Sequence, residues 1–166
     1  LKWMNQEYIK KMTPGQLLEK LDPWLKTVPG FPGTYSKASL ERMVGLFRER
    51  LKTYDEIVSQ VEWFFEEPRE FEVKGLEKAR KLPGVEAMLS DLVSRLGAVP
   101  TFDAVNLEPL LRGYAEEKGL KVGDVIHMCR LACTGRTTSP GIFELMEVLG
   151  PKTCLCRLAV FRTALG

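Results

Sequence analysis

Apolar residues recur along this chain at helical spacing almost from end to end. Leu17, Leu18, Leu21, Trp24 and Leu25 follow the i, i+1, i+4, i+7, i+8 rule of a single helical face. Thr13-Pro14 suits the start of that helix, a hydroxyl cap followed by a proline in the first turn. Leu40, Met43, Val44, Phe47 and Leu51 form a second stripe. Tyr54, Ile57, Val58, Val61, Phe64 and Phe65 form a third. The third opens on Thr53-x-x-Glu56, a capping box, and Pro68 closes it.

Beyond Pro68 the stripes are Val85, Met88, Leu89, Leu92, Val93 and Leu96, then Leu107, Leu110, Leu111 and Tyr114. Val122, Val125, Ile126, Cys129, Ala132 and Cys133 follow, then Ile142, Leu145, Met146 and Leu149. Gly97, Gly119, Gly135 and Gly150 stand just past these stripes, where a left-handed C-terminal cap is expected. Pro151 starts a last helix with Leu155, Leu158, Ala159 and Leu165. No alternating strand or hairpin signal interrupts the series, so an all-α fold is expected. The turn-rich stretch from Val28 to Tyr35 is the longest interruption, and a second break runs from about Glu66 to Val73. That second break divides the expectation into two helical subdomains, 1–67 and 72–166. No motif recurs at a fixed period, which disfavours a regular solenoid.

Composition narrows the class. The 166 residues are 45% hydrophobic and 28% charged, an ordinary globular balance. No run of about 18 apolar residues is present to cross a bilayer. The opening Leu1-Lys2-Trp3-Met4-Asn5 has neither an initiator Met nor a basic-then-apolar leader, and reads as part of something longer. Net charge is +2, yet from Gly119 onward Lys121, Arg130, Arg136, Lys152, Arg157 and Arg162 outnumber Asp124, Glu144 and Glu147. That basic end permits phosphate binding. Cys129, Cys133, Cys154 and Cys156 crowd the last quarter, but as C-x3-C and C-x-C rather than paired knuckles. Each sits in an apolar helical pattern, so buried free thiols in a reducing compartment are expected.

Catalytic chemistry is missing from the pattern. His127 is the sole histidine, and there is no Walker loop, dinucleotide fingerprint or H-E-x-x-H. The expectation is a binding module with no active site, cofactor or metal of its own.

One segment is far from generic. Arg130-Leu-Ala-Cys-Thr134-Gly135-Arg-Thr-Thr-Ser139-Pro140-Gly141-Ile142-Phe143-Glu144, running to Gly150, closely resembles the C-terminal signature of bacterial-type glutamyl-tRNA synthetases. Leu1-x-Trp3-x-Asn5-x-x-Tyr8-Ile9, Phe64-Phe65-Glu66-Glu67-Pro68 and Lys121-Val-Gly123 match the same family in order. The resemblance implies an anticodon-binding helical cage. Residues 1–67 would hold the end of the stem-contact region and the first anticodon-binding part, and 72–166 the C-terminal anticodon-binding subdomain. It implies tRNA(Glu) as partner, a monomer, and a cytoplasmic or organelle-matrix location. ATP and Mg2+ would serve an upstream domain of the parent ligase. Arg50, Arg130, Ser139, Pro140 and Ile142 match positions that the family uses at the anticodon. Lys121, Arg136, Lys152 and Arg157 are candidates for phosphate contacts, with Lys37 a weaker one. Ser139 is expected to cap the helix after it, with Pro140 in its first turn. Two other readings compete: a helical protein–protein module, which predicts a large apolar patch and little salt dependence, and a zinc-dependent helical protein built on the cysteines.

Overall fold

A computed structural model describes residues 2–166, with side chains from Asn5 onward. Leu1 and the Trp3 side chain of the first resembling segment lie outside that description. All regular structure among the described residues is helical. The chain divides into two compact units, Leu1–Glu66 and Glu67–Gly166.

The first unit holds α1 (Lys2–Lys11), α2 (Pro14–Leu25), α3 (Lys37–Phe47), a 3-10 turn (Tyr54–Glu56) and α4 (Ile57–Phe65). Thr13 caps α2 as expected, and the Gln16 side chain returns the bond to the Thr13 N–H, closing a capping box. Pro23 is accommodated inside the same helix. Thr53 and Glu56 form the second box, although it opens a 3-10 turn before α4 begins. The α2 face Leu17, Leu21 and Leu25 meets Met43, Val44 and Phe47 of α3 and Ile57 and Val61 of α4, all fully or almost fully buried. Leu51 is buried too, but beyond the end of α3. Arg48 ties that turn to α1 by donating to the Met12 carbonyl at 3.1 Å.

The second unit holds α5 (Val73–Lys81), α6 (Val85–Gly97), α7 (Ala104–Lys118), α8 (Val122–Thr134), α9 (Ile142–Leu149) and α10 (Pro151–Leu165). α8 is its centre, packed by α5, α7, α9 and α10, while α10 also lies along α6. Gly119 and Gly135 take the left-handed conformation after α7 and α8, as their positions imply.

Two helices depart from the expected pattern. α5 carries no stripe of large apolar residues. It buries Gly75 and Ala79 instead, and a Cβ at 75 would come within 2.8 Å of Leu131. The small residues let its backbone approach α8 closely. In α10 the buried row is Cys154, Arg157, Leu158 and Phe161, with Ala159 exposed and Leu155 and Leu165 only half-buried. The expected stripe is therefore turned away from the true face, which becomes a regular i, i+3, i+4, i+7 row once Cys154 and Arg157 are counted as interior.

Candidate nucleic-acid interface

The Arg130–Gly150 segment folds as the end of α8, a loop at 135–141, and the whole of α9. Its first task is to stop α8. Thr134 Oγ1 donates to the Arg130 carbonyl at 2.8 Å and accepts the Arg136 N–H at 3.0 Å. Gly135 then turns with φ +75°, and its N–H returns to the Leu131 carbonyl at 2.8 Å. Thr-Gly thus satisfies carbonyls that a helix end otherwise leaves open.

A strap from residues 67–72 locks the turn. The Glu72 N–H donates to the Gly135 carbonyl at 2.9 Å, and Thr137 Oγ1 donates to the Glu72 carboxylate at 2.6 Å. The Glu70 carbonyl lies so near that a Cβ at 135 would sit 2.6 Å from it. Glu72, with the Glu70 backbone beside it, holds the loop in a way that helical periodicity could not reveal, because both lie in a segment without regular structure.

Arg130 and Ser139 are brought together. Arg130 Nε donates to Ser139 Oγ at 2.8 Å, and that hydroxyl in turn donates to the Pro140 carbonyl at 2.8 Å. Both side chains are half-buried. The expected cap is corrected here. Ser139 does not cap α9: Gly141 is the N-cap residue, with no side-chain capping bond, and Pro140 lies before the helix. The hydroxyl is engaged by Arg130 instead, which fixes the orientation of the guanidinium relative to the loop.

Pro140 and Ile142 are buried, Ile142 almost completely, so their side chains face the interior. The segment offers backbone there. The N–H groups of the first turn of α9 have no acceptor within the helix, and the exposed Gly141 permits close approach. The Glu144 carboxylate folds back over this helix start, with Oε2 only 2.6 Å from where a Cβ on Gly141 would stand.

The remaining candidates scatter. Arg50 belongs to the first unit, exposed in the turn after α3 rather than on the helix, its N–H held by the Phe47 carbonyl at 2.8 Å. Lys121 is exposed at the start of α8. Nine residues separate it from Arg130, about 13 Å along the axis. Lys152 is exposed at the start of α10, Lys37 is exposed at the start of α3, and Arg136 is half-exposed in the loop. Arg157 is not at the surface at all. It is 5% exposed, and Nη1 donates to the Cys133 carbonyl at 2.6 Å. Expected as a phosphate contact, it is an internal cation at the C-terminal end of α8, where the helix dipole favours positive charge.

His127, one turn before Arg130, is buried with Nε2 3.4 Å from the Gly75 carbonyl. Burial lowers its pKa, partly opposed by that carbonyl. Cys129, Cys133 and Cys154 are buried, and burial pushes the Cys129 thiol up. Cys156 is exposed, contrary to expectation, because it lies off the true α10 face. Among the described residues no three His, Cys, Asp or Glu side chains group as a metal site would need, and no helix is long and apolar enough to cross a membrane. The exposed large apolar residues Tyr8, Val73, Val105 and Val160 lie on four different helices.

Comparison with known proteins shows the family to which the chain belongs. Residues 16–162 match the family model described as an anticodon binding domain. The chain is 35% identical over 158 residues to glutamate–tRNA ligase 1 of Syntrophomonas wolfei, covering 95% of this chain and 32% of that enzyme. It is 35% identical over 167 residues to the glutamate–tRNA ligase of Rhodopseudomonas palustris strain BisB5, covering 96% and 35%. The crystal structure of a glutamate tRNA ligase from Elizabethkingia meningosepticum superposes with a TM-score of 0.89 at 25% identity, over 99% of this chain and 32% of that one. The chain therefore spans about a third of the length of these relatives.

Proposed function

We infer that this chain, which belongs to the anticodon-binding domain family, reads the anticodon loop of a glutamate tRNA as part of a glutamate–tRNA ligase. In the whole enzyme, glutamate is activated with ATP and Mg2+ and esterified to the tRNA by residues outside this chain. The present residues select the tRNA. The enzyme works as a monomer in a bacterial cytoplasm or an organelle matrix.

The observation that carries this reading is the Arg130–Ser139 pair beside the start of α9. Bases of a single-stranded loop can be splayed out and read by stacking and by hydrogen bonds to their edges. A guanidinium does both, provided its plane is fixed. The bond from Nε to Ser139 fixes it. The first-turn N–H groups of α9 add donors for a second base edge. Arg50 in the first unit supplies a further exposed guanidinium for discrimination among bases. In this reading Lys121, Arg136 and Lys152 meet phosphates, which position the RNA without specifying sequence.

The test is binding of the 166-residue chain to a glutamate tRNA and to the same tRNA with its anticodon replaced, across a salt titration. Wild type should prefer the native anticodon. Arg130→Ala should reduce that preference by about 1–3 kcal/mol, roughly 5- to 150-fold. Ser139→Ala, which removes only the hydroxyl that orients Arg130, should give a smaller loss in the same direction, whereas Ser139→Thr should retain it. Equal affinity for both tRNAs, or binding indifferent to salt, would reject the reading in favour of a helical protein–protein module.

A further inference from the structure

The densest positive segment of the second unit is not among the positions singled out by the family resemblance. It is α5, whose nine residues hold Lys74, Lys78, Arg80 and Lys81 against the single acid Glu77. Lys74, Lys78 and Lys81 stand at i, i+4 and i+7, one row along the helix, and all three are exposed. Helix-dipole stabilisation explains cations in the last turn. It does not explain Lys74, which sits in the first turn where a cation opposes the dipole.

The row adjoins the candidate interface. α5 runs antiparallel beside α8: Gly75 meets Leu131 and Thr137, the Gly75 carbonyl meets His127, and Lys78 lies 3.8 Å from Asp124. His127 stands within electrostatic reach of both Lys78 and Arg130, with Asp124 partly offsetting them. Positively charged side chains therefore flank the buried, neutral imidazole from two helices, Arg130 on α8 and Lys78 on α5. Successive lysines in the row are about one helical turn apart, some 5–6 Å. That spacing is comparable to the step between neighbouring phosphates of a nucleic-acid strand.

We propose that Lys74, Lys78 and Lys81 form a phosphate track that grips the RNA backbone adjoining the loop read at Arg130. This rests on the anticodon reading above, and adds to it a second surface with a different job. Lys78 exchanges its loose pairing with Asp124 for a phosphate oxygen. Close packing of α5 on α8, made possible by Gly75, holds the track at a fixed distance from Arg130.

The experiment compares wild type, Arg130→Ala, the triple variant K74Q/K78Q/K81Q and a charge-matched control, K20Q/K26Q/K118Q. Lys26 and Lys118 of the control already face acids on their own units, Asp22 and Asp91. Each protein is titrated with the native and the anticodon-replaced glutamate tRNA at several salt concentrations, and circular dichroism confirms retained helix. The track predicts that the triple variant weakens binding by the same factor for both tRNAs. Its log–log salt slope should fall by about 2 to 3, near one for each phosphate that is no longer neutralised. The control should leave the slope unchanged. A triple variant with wild-type slope, or a control that lowers the slope as much, overturns the track while leaving the Arg130 reading intact. Anticodon discrimination abolished in the triple variant but kept in Arg130→Ala overturns the assignment of the two jobs. No binding by wild type overturns both.

Discussion

Replacing Gly135 by alanine should be among the most damaging single-methyl changes in the second unit, and its cost can be divided using a sister position. Gly135 and Gly119 both end helices in the left-handed region, at φ +75° and +66°. An L-residue there costs about 1–2 kcal/mol. At Gly119 that is the whole cost, since an added Cβ would meet nothing within 4 Å. At Gly135 the Cβ would stand 2.6 Å from the Glu70 carbonyl oxygen and 3.1 Å from Pro68 Cβ. The strap must then move, and with it the bond from Glu72 N–H to the Gly135 carbonyl, worth about 0.5–1.5 kcal/mol net. Gly135→Ala should cost about 2–4 kcal/mol and Gly119→Ala about 1–2 kcal/mol. With a urea m-value of about 2 kcal/mol per M, the midpoints should fall by about 1–2 M and 0.5–1 M. Far-UV circular dichroism is the suitable probe, because Trp3, Trp24 and Trp63 all belong to the first unit, whereas the second is helical too. Equal midpoint shifts for the two variants would refute the strap as a constraint on the loop.

Three further outcomes follow from buried polar groups of the second unit. Arg157→Met, which keeps the length but leaves the Cys133 carbonyl without its cationic donor, should cost about 1.5–3 kcal/mol in the same denaturation while the folded protein keeps the wild-type salt slope for tRNA. Because burial depresses the His127 pKa, its contribution to stability is full above about 6.5, the ordinary value, and is lost as pH falls through the lowered one; stability against pH should be flatter on that side in His127→Gln, and a wild type with no such acid-side loss would count against the buried neutral imidazole. Burial, reinforced by donation to Asp91, pushes the Tyr114 phenol up to about 12, so its contribution should be full below about 10 and lost between 10 and 12, with Tyr114→Phe removing the ionisation seen by ultraviolet titration.

What is legible in the sequence and what is not divide along a physical line. Capping signals are local, and Thr13 with Gln16, Thr53 with Glu56, and the glycines at 119 and 135 do in the structure what their spacing announces. Stripes of large apolar residues are also local, and they mark α2, α3, α4, α6 and α9. α5 has no such stripe because its buried face is Gly75 and Ala79, so the helix contributes closeness rather than apolar bulk. The register of α10 is hidden because its true face includes an arginine and a cysteine, and the arginine is interior only by virtue of a partner 24 residues upstream. Ser139 misleads for the same reason. Its neighbours spell a helix cap, but the group that takes the hydroxyl is nine residues back on another helix. Side-chain partners remote in sequence leave no periodic trace.

The corrected geometry of the α9 start bears on what this end of the molecule can bind. An open helix N-terminus attracts anions, and Ser139-Pro140-Gly141 alone would suit a phosphate as well as a base. In the folded chain the Glu144 carboxylate already leans over that terminus. It meets the positive end of the dipole, and a phosphate arriving there would face like charge. A neutral base edge would not, because its carbonyl and ring-nitrogen acceptors can use the same N–H groups without bringing a full negative charge beside the carboxylate. Arg130, with its guanidinium fixed by Ser139, can offer paired donors to a base in the same region. If base reading occupies the Arg130 and α9 corner, the phosphates must be met elsewhere. The exposed lysines of α5, across His127 and outnumbering the acids Glu72, Glu77 and Asp124 beside them once Arg80 is counted, are where the second unit concentrates its positive charge. Selectivity and grip are then carried by neighbouring surfaces, a guanidinium beside a carboxylate-guarded helix start and a row of exposed lysines, both held in place by α8.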